Sequence, residues 1–141
     1  MIRYLQIAVA AIGLLIIFLL QRYSYAAAWN TLVPQLLKID NTNLIFVFNK
    51  TLRLIFNDLL CMQLIWSLFQ HRKYLKLAFF LFLVELVIVL PIYFLIKLSV
   101  EGATEISSPL LSQVHRMVVN PLLMFLLIAG IVYQRAIHSQ K

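Results

Sequence analysis

Apolar residues fill four stretches of the chain, each broken from the next by a cluster of polar or charged positions. The stretches run over about residues 5–20, 54–69, 77–96 and 117–133. A helix that crosses a bilayer needs roughly 17–25 mostly apolar residues, so the pattern predicts an all-α, polytopic membrane protein with four transmembrane helices in a single membrane domain. The second stretch is short and carries Asn57 and Asp58, and its helix is expected to begin earlier, near Leu44. The first follows Arg3 like a signal peptide, but Tyr25-Ala26-Ala27-Ala28 comes after a polar Gln21-Arg22 break and before Trp29. An uncleaved anchor is the expectation.

Between the first two stretches, Trp29, Leu32, Val33, Leu36 and Leu37 have helical spacing. That predicts a short interfacial helix in the first outer loop, ended by a turn at Asp40-Asn41-Thr42-Asn43. Further on, Ser107-Ser108-Pro109 sets Ser108 as N-cap and Pro109 at the first helical position. A helix over Leu110–Val119 should follow before the chain enters the membrane. Pro121 removes a backbone donor and crowds the carbonyl of Met117, which predicts a kink.

Composition agrees with this reading. Of 141 residues, 63% are hydrophobic and 12% charged, against about 25% charged in a soluble domain. A soluble domain of this size could not hide so much apolar surface. The net charge of +7 would point to nucleic acid in a soluble protein. Here the cations punctuate apolar runs without a basic tract or RNA-binding motif, so they read as topology signals and contacts to membrane lipids, and no nucleic-acid partner is expected. With the N-terminus inside, the inner cations are Arg3, Arg72, Lys73, Lys76, Arg135 and Lys141; the outer ones are Arg22, Lys38, Lys50, Arg53, Lys97 and Arg116. The inner six crowd into about 18 residues and the outer six spread over about 53, which favours both termini in the cytoplasm. Three glycines and no GxxxG cannot make a glycine-driven helix seam.

Polar side chains inside the apolar stretches are the candidate chemistry, because a charge at membrane depth costs roughly 2.5–3.5 kcal/mol on insertion scales. Asn49, Arg53 and Asn57 recur at i, i+4 and i+8, with Lys50 beside them. On one helix they form a stripe, either snorkelling to headgroups or making a polar docking surface. Asp58 points about 100° away from Asn57 and could pair with Arg116, or with Arg53 from a neighbouring copy. Gln113, Arg116 and Asn120 form a second stripe with His115 adjacent, and Asn120 is placed to bond the carbonyl freed by Pro121. Glu85 lies near the midplane, where it either bonds Gln63 or Asn120 or serves as an intramembrane contact or ion site. The lone Cys61 sits one turn from Asp58, whose charge disfavours a thiolate. It reads as an apolar filler rather than a catalytic thiol paired with His115 and Arg116. His71, His115 and His138 have no metal-ligand spacing, and neither metal nor cofactor is expected.

Two blocks carry a family resemblance. One holds Asn49-Lys50-Thr51-Leu52-Arg53, Asn57-Asp58, Leu68-Phe69 and Lys73-Tyr74. The other holds Pro109-Leu110-Leu111-Ser112, His115-Arg116-Met117-Val118-Val119-Asn120-Pro121-Leu122-Leu123-Met124 and Tyr133-Gln134-Arg135. Together, over about residues 45–135, they resemble the small membrane proteins associated with the exosortase F system of Bacteroidetes, encoded next to a polytopic exosortase. The resemblance implies a non-catalytic accessory subunit in the bacterial inner membrane, serving an enzyme that sorts proteins with a C-terminal membrane anchor. The catalytic Cys-Arg-His set belongs to that enzyme. On this reading Asn49, Lys50, Arg53, Asn57, Asp58, His115, Arg116 and Asn120 form the contact surface at the outer leaflet, and Glu85 a second contact. The alternative is a small proton- or ion-coupled transporter or channel subunit using Asp58 and Glu85. A homo-oligomer is compatible with either.

Overall fold

The computed structural model describes residues 2–103 and 108–138; Ser107 and Lys141, named above, lie outside them, as does Glu105. Among the described residues the chain is helical, without strands. Helix α1 spans Ile2–Leu19, α2 Tyr25–Leu32, α3 Thr42–Phe69 and α4 Arg72–Val84. A π-helical turn, Glu85–Val89, joins α4 to α5, Leu90–Val100. Helices α6, Pro109–Val119, and α7, Leu122–His138, complete the bundle. Three helical runs are long and apolar enough to cross a membrane: α1, α3, and α4 through α5. A fourth exists if α6 and α7, bent by 66° at their junction, count as one broken span.

Helix α3 is longer than its apolar core. Asn41 caps it, its Oδ1 accepting the Asn43 N–H at 2.9 Å, and this starts the helix two turns before the first cation, Lys50. It is the hub: α1, α2, α4, the π turn, α5, α6 and α7 all pack against it. That position buries one broad face of it, Arg53, Leu54, Asn57, Asp58, Cys61, Met62, Ile65 and Ser67, and leaves Phe56, Leu59 and Trp66 exposed on the other. By contrast, α1 buries only Ala10 and exposes Leu5, Val9, Ile12, Leu15, Ile16, Phe18 and Leu19, the surface a lipid-facing helix presents.

The α1–α3 approach depends on Gly13. A β-carbon there would meet the Leu60 side chain at 3.0 Å, so one glycine lets the two helices close, without a repeated small-residue motif. Gly13→Leu is expected to cost about 1–3 kcal/mol by overpacking, read as an earlier unfolding midpoint in mixed detergent micelles. An unchanged midpoint would show that the contact is loose.

The two ends of the bundle differ. At one end Arg3 donates to the carbonyls of Ser67 (2.8 Å) and Leu68 (2.6 Å), capping α3, where orphan carbonyls and the helix dipole favour a cation. Gln70 turns the chain in the left-handed region, φ 51°. The Arg135 guanidinium stacks 5.4 Å from the Phe69 ring and 5.7 Å from Tyr74. Arg3, Arg135 and the α3–α4 turn therefore share this terminal end. The α1–α2 link, the start of α3 and the end of α5 lie at the opposite, distal end.

The predicted interfacial helix is split. Pro34 ends α2, and a single 3₁₀ turn, Gln35–Leu37, follows. Asn30 pins the return, donating to the Ile39 carbonyl at 2.9 Å and accepting its N–H at 2.8 Å. At the other proline, Asn120 is extended (φ −111°, ψ 142°), so the predicted kink is a full break.

Candidate functional site

A cavity of about 410 Å³ opens at the distal end. Its wall joins the α1–α2 link (Arg22, Ser24), α3 (Asn49, Lys50, Arg53), Lys97 of α5 and His115 of α6. Each is held by a local cause. Asn49 Oδ1 accepts the Ala26 N–H at 2.8 Å and its amide donates to Ser24 Oγ at 3.2 Å, tying α3 to the start of α2. Arg53 donates to the carbonyls of Gln21 (3.0 Å) and Ile17 (3.1 Å), capping the end of α1 as Arg3 caps α3. Lys50 lies over the Phe46 ring, 5.6 Å from its centroid. The Tyr93 hydroxyl and His115 Nδ1 share a hydrogen bond at 2.6 Å, fastening α5 to α6. Lys97 is fully buried and pairs with Glu101 at 3.1 Å, while Glu101 Oε1 accepts the Ser108 N–H at 2.7 Å.

The two polar stripes thus converge, but they do so facing inward. Arg53, Asn57 and Asp58 are buried by the chain's own helices and present no outward contact surface; an edge helix would have exposed them, and the hub helix does not. Gln113 and Arg116 are exposed on α6. Asn120 and Pro121 line a second, largely apolar cavity of about 420 Å³ with Leu14, Leu15, Ile17, Phe18, Arg53, Asn57 and Phe125.

No family model, curated protein or solved structure matches the chain.

Deeper in the bundle, Asp58 of α3 faces Glu85 at the first position of the π turn, close enough for their carboxyls to act on each other. Asp58 is 1% and Glu85 3% exposed. Their side chains are hydrogen-bonded to each other, and among the described residues no other group bonds either Asp58 oxygen or Oε1 of Glu85. Within one chain Asp58 therefore pairs with neither Arg116 nor Arg53. Arg53 is taken by the α1 carbonyls, and Arg116 is exposed. Gln63, proposed above as a partner of Glu85, instead donates toward the Gln6 carbonyl at 3.4 Å.

The π turn itself escaped the hydrophobic pattern. Its signal is Pro91, which lacks an N–H and would crowd the carbonyl of Val87 in a regular helix; widening the preceding turn relieves that, and such turns recur at functional positions. Cys61 packs with Met62, Ile65, Ala78 and Met124, whereas His115 lies in the distal cavity, so the structure does not assemble a Cys-His pair. Among the described residues no group of three His, Cys, Asp or Glu side chains could hold a metal ion.

Proposed function

We propose that this chain is a non-catalytic accessory subunit of an exosortase-like sorting system. It would reside in the bacterial inner membrane with four spans and both termini cytoplasmic. It docks to the sorting enzyme, or guides its substrate, at the outer leaflet. The observation that supports this reading is convergence: the two sequence blocks that carry the resemblance meet at the distal end, where His115 lines the same cavity as Asn49, Lys50 and Arg53. Beside that cavity, α6 leaves exposed Arg116, one of the contact residues read from the sequence, and Gln113 near it. Arg is favoured at such positions because its planar fork bonds carboxylates and carbonyls in two places at once.

Affinity purification of the tagged full chain from its native membranes in mild detergent, with mass spectrometry, tests the proposal. Recovery of an exosortase-type polytopic protein is expected, and Arg116→Ala with Gln113→Ala should lower that recovery at least fivefold while membrane insertion stays intact. Undiminished recovery with the double variant would remove this contact surface; recovery of the chain alone would remove the subunit reading.

The Asp58–Glu85 pair favours a second reading, a proton- or ion-coupled transporter or channel subunit. Two bare carboxylates side by side in an apolar interior would repel, so a shared proton or a bound cation would hold them together. Glu85→Gln is then expected to abolish proton- or ion-dependent flux in proteoliposomes. An absence of flux with the unaltered chain would dispose of this alternative.

A further inference from the structure

The distal cavity is short of negative charge. Arg22, Lys50, Arg53 and Lys97 line it, and no carboxylate does so among the described residues. Glu101 answers Lys97 from just outside the wall. Among the described residues nothing of opposite charge answers Lys50, whose ammonium rests on the Phe46 ring. Arg53 is 4% exposed, and its terminal nitrogens are taken by neutral carbonyls while Nε has no partner. Buried charge is costly unless an opposite charge or a full set of hydrogen bonds accompanies it. Among the described residues no counter-charge accompanies Arg53 or Lys50.

Arg53 also lines the second, largely apolar cavity, between α1 and the start of α7. The two cavities therefore adjoin at one guanidinium: on one side cations and hydroxyl or amide donors (Ser24, Asn49), on the other Leu14, Ile17, Phe18 and Phe125. A volume of about 410 Å³ holds on the order of a dozen waters at about 30 Å³ each, enough for a phosphate and a small polar head. The aromatic side chains Tyr23 and Trp29, both exposed, flank this end in the manner of residues that sit at headgroup level.

We propose that the paired cavities bind one anionic phospholipid, its phosphate in the cationic chamber against Lys50 and Arg53 and one acyl chain in the apolar chamber between α1 and α7. The shared chemistry is that of a phosphate oxyanion, which a lipid or free phosphate could supply. The apolar chamber, which shares Arg53 with the cationic one, selects the lipid. This goes beyond the sorting reading and stands without it, because it concerns the purified chain alone.

The test titrates the detergent-purified full chain with phosphatidylglycerol, with phosphatidylcholine of the same acyl chains, and with inorganic phosphate, following bound lipid by native mass spectrometry and thermal unfolding in parallel. Phosphatidylglycerol is expected to bind at least tenfold more tightly than phosphatidylcholine and to raise the unfolding midpoint in a concentration-dependent way; inorganic phosphate should do neither at equal concentration. Lys50→Gln and Arg22→Gln, chosen because neither side chain is buried as Arg53 is, should each lower the phosphatidylglycerol affinity severalfold with helicity unchanged. Arg135→Gln, at the terminal end, should not. Equal binding of the two lipids would overturn the proposal, as would a loss with Arg135→Gln matching that of Lys50→Gln. Tight binding of inorganic phosphate alone would reassign the site to free oxyanions and overturn the lipid.

Discussion

Glu101→Gln is expected to destabilise the solubilised chain by about 3–5 kcal/mol, the cost of breaking a buried ion pair from one side. Lys97 is fully buried at the foot of α5, and the side chains of the pair are 1% and 6% exposed. Solvent therefore screens this pair far less than the surface pairs whose median worth is about 0–1 kcal/mol. The glutamine keeps an acceptor for Ser108 but withdraws the charge that Lys97 faces. The sharper comparison is the double replacement Lys97→Met with Glu101→Leu, which removes both charges and should recover most of the loss. Unfolding midpoints in mixed micelles for Lys97→Met, for Glu101→Leu and for the double replacement give the coupling directly. If the single and the double variants lose equal stability, the pair contributes through packing and its charge is incidental.

Removing the carboxyls of Asp58 and Glu85 together should act in the opposite direction. The replacement Asp58→Ala with Glu85→Leu keeps the combined side-chain volume nearly constant and takes away two buried carboxyls that, among the described residues, bond only each other and leave most of their acceptor positions unmet. Unsatisfied buried polar groups cost about 1–3 kcal/mol each, so the double variant is expected to gain about 1–4 kcal/mol in the same unfolding assay. A loss of stability would mean that the carboxyls are held by something beyond the helices, such as a bound cation or ordered water. Flux measured on this variant adds a second readout: the transport reading requires its disappearance.

The spans at residues 77–96 and 5–20 are legible because apolar side chains run through them, interrupted by a polar side chain only at Glu85 and Gln6, and the structure places helices there. The start of α3 is less so. Lys50, Arg53 and Asn57 dilute the apolar signal over its first half, and only the Asn41 cap and the helical spacing of those same polar residues mark the true beginning at Thr42. The gathering of Asn49, Lys50 and Arg53 with His115 was half legible, since both stripes were placed at one face from their position relative to the spans. Their inward orientation was not. A helix with polar residues at i, i+4 and i+8 looks the same whether it stands at the rim of a bundle or at its hub. What decides is the number of neighbours, a property of the whole topology. The meeting of Asp58 with Glu85 was hidden for the same reason.

The π turn also works as a spacer. Each residue of a regular helix advances the side chains by about 100°, and a π turn fits an additional residue into the same rise. Helix α5 therefore arrives at the distal end rotated relative to a straight continuation of α4. It is this phase that sets Tyr93 against His115 and Lys97 into the cavity wall. The orientation of two groups at the far end of the bundle is thereby written into a residue count near its middle, between Glu85 and Pro91.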